Sequence, residues 1–91
     1  MAEVVALTGK LDLTSVRGVH AMLLAHNGQD IEVDLSEVSQ IGALCLQVLI
    51  ATANKAAARG TAFSITRATP RVAEQMAAMG RPVETLTRKK S

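Results

Sequence analysis

The chain has 91 residues, enough for one domain around a single hydrophobic core. Apolar residues make up 48% of it, yet Phe63 is its one aromatic side chain, which leaves no platform for stacking bases and no aromatic cage. The formal charge is only +2, and the clearest basic cluster is the terminal Arg88, Lys89 and Lys90, a tail rather than a nucleic-acid-binding face.

Val4 to Leu7 form a short apolar run that reads as a buried strand, with Thr8 and Gly9 as the turn that ends it. Thr14 or Ser15 caps a first helix running from about Ser15 to His26, with Val16, Val19 and Leu23 on one face and Asn27-Gly28 as the stop. His20 and His26 stand six apart, off the four-residue spacing that lets two imidazoles share a metal, and read as surface or boundary residues.

Ile31 to Ser36 alternates apolar and polar as a second strand ending near Asp34. A short loop then feeds a helix that opens near Gly42 and Ala43 and stops at Gly60. From Leu44 to Ala53 only Gln47 and Thr52 are polar, so this helix must be largely buried. At 100° per residue, Leu46, Leu49, Ile50, Ala53 and Ala57 form the side laid on the sheet, whereas Leu44 and Val48 fall on the other arc. If a neighbouring helix does not cover these two, they make a small apolar patch beside a helix N-terminus, a docking site for another protein. The same helix end aims free N–H groups outward, but the loop lacks the glycines and the lysine of a nucleotide-cradling P-loop.

Ala62 to Thr66 alternates as a third strand. Thr69 caps and Pro70 starts a last helix with Val72, Met76 and Met79 as its buried stripe and Gly80 as its close. Pro82 to Leu86 reads as a short edge strand before the tail. The expected architecture is α/β, with three helices on a mixed four-stranded sheet; the domain spans residues 1–87 and the basic tail 88–91.

The lone Cys45 cannot form an internal disulfide, and no histidine is placed to pair with it. No metal or cofactor is expected, nor a convergent acid, base and nucleophile, so catalysis is not expected either. No stretch reads as a signal peptide, and the apolar run of the central helix is too short for a membrane span; a cytoplasmic location is the expectation.

Three segments together resemble the STAS domain, the anti-sigma factor antagonist family. IEVDLSEVSQIGALCLQVLIATANKAAARG resembles its central strand and helix, Leu7-Thr8-Gly9-Lys10-Leu11-Asp12 its Leu-Thr-Gly-x-Leu-Asp turn, and Thr69-Pro70-Arg71-Val72 through Met79-Gly80 its closing helix. The resemblance implies a small domain that acts by binding, switched off when a partner kinase phosphorylates a serine at the helix start. The family's Asp-Ser-x-Gly-Leu falls on Gly42, Ala43, Leu44, Cys45 and Leu46, and only the leucine survives.

Ala43 holds the phosphoacceptor position and has no hydroxyl, so the resemblance implies a constitutive binder unless another hydroxyl such as Ser36 or Ser39 has taken over. Asp12 and Asp34 match acidic positions of the family's surface. The implied partner-contact set is Asp12, Asp34, Ser36, Gly42, Ala43, Leu44 and Val48. The implied partner is another protein, an anti-sigma factor, kinase-like protein or sensor kinase, including chemotaxis ones; neither nucleic acid nor membrane insertion is implied. Two alternatives accompany this: a STAS subunit of a bacterial phospholipid-transport ABC system that binds the ATPase subunit, and a nucleotide-binding STAS domain. The family's leading edge strand has no counterpart here, which leaves an unpaired edge for a homodimer.

Overall fold

The structure, a computed structural model, describes residues 2–26 and 28–88. The expected helix stop at Asn27 and the tail lysines Lys89 and Lys90 lie outside the described residues. In chain order the elements are β1 (Glu3–Leu11), α1 (Val16–Leu24), β2 (Ile31–Ile41), α2 (Ala43–Arg59), β3 (Phe63–Thr66) and α3 (Pro70–Ala78). The sheet has three strands in the order β1-β2-β3, and both pairings are parallel.

The expectation of a mixed, four-stranded sheet is therefore corrected. Pro82–Leu86 is not a strand: Val83–Thr85 form a 3-10 turn with Pro82 at its head, and the Thr85 and Leu86 amides bond back to Pro82 and Val83. A trace of the expected antiparallel edge survives one step later. Arg88, assigned by sequence to the tail, exchanges two backbone hydrogen bonds with Phe63, at 2.8 and 2.7 Å.

β1 and β2 are both longer than their patterns suggested. β1 continues through the expected turn at Thr8-Gly9 to Leu11, because Gly9 adopts φ +76°, a conformation glycine takes without penalty, and the chain stays in the ladder. Nor does β2 end at Asp34. Its pairing with β1 steps from Ala6 opposite Asp34 to Thr8 opposite Glu37, then from Gly9 opposite Val38 to Lys10 opposite Gln40. Each step puts one extra residue into β2, a bulge. The buried residues of β2 are Ile31, Val33, Leu35, Val38 and Ile41, so their spacing lengthens from two to three where the bulges fall. A bulge changes which parity faces inward, and the stretched spacing keeps every apolar side chain on the core side.

Ile31, Val33, Phe63, Ile65 and Val5 line up across the sheet and are buried together with Val19 and Leu23 of α1 and Cys45, Leu46, Leu49, Ala53 and Ala56 of α2. α1 and α2 pack on each other, so both crossovers cover one face. β3 is too short to flank the far half of β2, and α3 packs there instead, sending Val72 and Met76 into the same core. Met79, expected in that buried stripe, is half exposed at the helix end.

The stripe that α2 buries also differs from the expected one. Cys45 and Ala56 replace Ile50, which is partly buried, and Ala57, which is exposed. The buried arc is rotated by about 50° toward Cys45 on a 100°-per-residue wheel, because α2 must lie against both the sheet and α1. That rotation brings Val48 to the rim of the core and leaves Leu44 outside it.

Candidate functional site

At the C-terminal ends of β1 and β2 the chain turns twice into helices, and the two turns are bonded to each other. The Gly42 amide donates to the Leu11 carbonyl at 2.8 Å, carrying the β1–β2 ladder one residue past the strand into the N-cap of α2. Space there is tight: a Cβ on Gly42 would stand 3.3 Å from that same carbonyl. The buried Cys45 thiol reaches the Asp12 carbonyl at 3.5 Å. Burial, then the charge of Asp12, pushes that thiol's pKa up, so Cys45 stays protonated and acts as core rather than nucleophile.

Asp12 itself is committed locally. Its Oδ1 accepts the Thr14 hydroxyl at 2.6 Å and the Thr14 amide at 3.0 Å, and these bonds hold its carboxyl below the ordinary carboxylate range. The Ser15 hydroxyl donates to the Lys10 carbonyl at 2.8 Å. An Asx turn thus joins β1 to α1, and it lifts Leu13 into solvent at 75% exposure. On the opening turn of α2, Leu44 is 51% exposed although Cys45 and Leu46 next to it are buried. Ala43 precedes it, exposed, with no acidic side chain in the first turn of the helix.

Five of the seven sequence-predicted contact residues, Asp12, Gly42, Ala43, Leu44 and Val48, lie on this end of the molecule. Asp34 and Ser36 do not. They sit midway along β2, where Asp34 pairs with Ala6 and Thr66, and not at a strand end as expected. Asp34 Oδ1 accepts the Ser36 amide at 2.8 Å within the first bulge of β2; this bond is the leading reason its pKa is lowered, with the Arg67 guanidinium at 3.6 Å a lesser one. Both aspartates use the same device, a carboxylate bonded to the amide two residues on.

Between α1 and α2 runs a groove of about 260 Å³. Val16, His20, Leu23 and Leu24 line it from α1, and Leu44, Val48, Ala51 and Lys55 from α2. Sequence reasoning found Leu44 and Val48 but missed Leu13, Leu24 and the α1 wall. Val16, His20 and Leu24 recur every four residues, beside the core stripe of Val19 and Leu23, so the apolar arc of α1 is wider than one packing partner requires. That width was the available signal.

The strand-to-helix connection is the single residue Gly42, whose amide is already taken by Leu11, so no loop is present to wrap a nucleotide phosphate. Among the described residues, no group of three or more His, Cys, Asp or Glu side chains could hold a metal ion. No helix of the described residues is long and apolar enough to cross a membrane.

Comparison with solved structures gives a match to the crystal structure of a putative anti-sigma factor antagonist from Thermotoga maritima. The two share 18% identity, with a TM-score of 0.70 over 85% of this chain and 71% of that one, a likeness of fold. No curated protein matches. The family description "Mlab, STAS domain" matches residues 1–82. With the family's strand, helix-opening and closing-helix segments in the places the fold requires, the chain belongs to this STAS family.

Proposed function

We propose that this chain is a non-enzymatic STAS module that binds another protein through the opening turn of α2 and the Asp12 turn beside it. The observation that carries the reading is Leu44: a large apolar side chain held half in solvent on a rigid helix, whose opening turn is bonded to the turn that carries the still more exposed Leu13. Binding is constitutive at this turn, because Ala43 offers a methyl group where the family carries its phosphoacceptor hydroxyl. Asp12 serves the interface by shaping its turn rather than by donating free charge, whereas Asp34 lies away from it, in the first bulge of β2.

Within bacterial signalling, the partner of such a module is an anti-sigma factor or a sensor kinase. A second reading, a STAS subunit docked on the ATPase of a phospholipid-transport ABC system, is favoured by two observations. A permanent subunit needs no release switch, in keeping with Ala43, and the family description that matches is the Mlab one.

The test is affinity capture from the native cell followed by titration of the captured partner against wild type and Leu44→Asp. Loss of binding in the variant, with an unchanged thermal melt, supports the reading. Full binding by a folded Leu44→Asp protein rejects it. Val48 is a poorer probe, because its side chain packs against the core.

A further inference from the structure

The charges of this chain are sorted by element. All 8 acidic residues lie outside α1 and α2; α1 carries Arg17 and His20, and α2 carries Lys55 and Arg59. The groove between these helices is lined by His20, Lys55 and Arg59 around apolar walls, with no Asp or Glu among its lining residues. Its volume of about 260 Å³ lies below the usual range of small-molecule pockets, roughly 300–1,000 Å³. Its lining runs from Val16 to Leu24 along α1 and from Leu44 to Arg59 along α2, an extent that receives a row of side chains.

We propose that the α1–α2 groove seats an amphipathic helix of the partner protein, one that inserts aliphatic side chains between Leu24, Leu44 and Val48 and carries Asp or Glu along its flanks toward Lys55 and His20. The proposal rests on the interaction-module reading and names its partner's chemistry. Charge complementarity selects the acidic flank: a basic helix would meet the like charge of Lys55 and Arg59 on the α2 wall. Concavity selects a helix over a lipid surface, since Leu24 and Val48 line a recess that a flat bilayer does not fill.

A display library of amphipathic peptides of about 16 residues, with leucine fixed at i, i+3, i+4 and i+7 and the flanks randomised among Glu, Lys, Gln and Ser, tests this on the full chain. The expected outcome is enrichment of Glu on the flanks. The selected peptide should bind at least about tenfold more weakly to Lys55→Glu and to His20→Glu, and more weakly as salt is raised. His20 and Lys55 are both exposed, so the variants should fold, as circular dichroism would verify.

Failure of any peptide to enrich, enrichment without acidic bias, or full binding to both charge reversals would overturn the proposal. So would binding of the chain to phosphatidylglycerol vesicles that the charge reversals abolish while no peptide enriches, which would assign the face to a membrane surface. The captured native partner separates the two readings. Loss with Leu44→Asp but not with Lys55→Glu removes the acidic helix and keeps the module, whereas retention by Leu44→Asp removes the module.

Discussion

The amide of Ile41, the last residue of β2, donates to Oε1 of Gln75 on α3 at 2.8 Å, across 34 residues of sequence. Leu11, on the other side, already receives the next amide, that of Gly42. β3 ends at Thr66, opposite Asp34, and cannot reach Ile41. A helix side chain thus completes the ladder where a strand is missing, and it fixes the point from which α2 departs.

Gln75→Leu should leave that amide unpaired beside the buried Ile41 side chain and cost about 1–3 kcal/mol. For a domain of this size the melting temperature falls by about 4–8 °C per kcal/mol. Gln75→Glu keeps an acceptor and should lose less. Equal melts for wild type and Gln75→Leu would show that the bond contributes nothing.

Gly42→Ala should be destabilising by about 0.5–1 kcal/mol, because alanine is a poor N-cap. Its methyl would also press on the Leu11 carbonyl, which cannot retreat without stretching its bond from residue 42. Chemical denaturation with an unchanged m-value is the measurement; a gain in stability would refute the close approach.

Ala43→Asp separates stability from binding. A carboxylate on the first turn of α2, where no acid now stands, should add about 0.3–1 kcal/mol through the helix dipole. The same charge at the docking turn should weaken the partner complex. A variant that melts higher and binds as well as wild type would remove residue 43 from the interface.

Acid stability should depend on Asp12 and Asp34. Both have folded-state pKa values lowered by local hydrogen bonds, so their contribution is complete above the unfolded value, about 3.9, and is lost as pH falls through the lower folded values. Replacing either by Asn should destabilise the protein at neutral pH and flatten the decline of its stability below about pH 4. Parallel acid-denaturation curves for wild type and both Asn variants would count against these bonds.

The helices were legible because their punctuation is local: Thr69-Pro70 opens α3, and Gly60 ends α2. Strand ends were not. From Leu35 to Val38 to Ile41 the apolar spacing is three, which departs from the alternation of a flat strand, and only the pairing with β1 reveals two bulges. Pro82 to Leu86 carries strand-forming residues but bonds to itself, and no periodicity announces that choice. Leu44 and Val48 could be placed on one arc of α2 from the sequence, whereas the wall of the groove facing them belongs to a helix some 25 residues earlier and appears only once the two are packed.

The methyl group of Ala43 has a consequence for the cell. On the constitutive reading proposed above, a module that cannot be ordered off its target by esterifying that position stays attached for as long as mass action holds it there. Occupancy is then governed by copy number, and the dose at which the gene is expressed takes over the part that a kinase and a phosphatase would otherwise play.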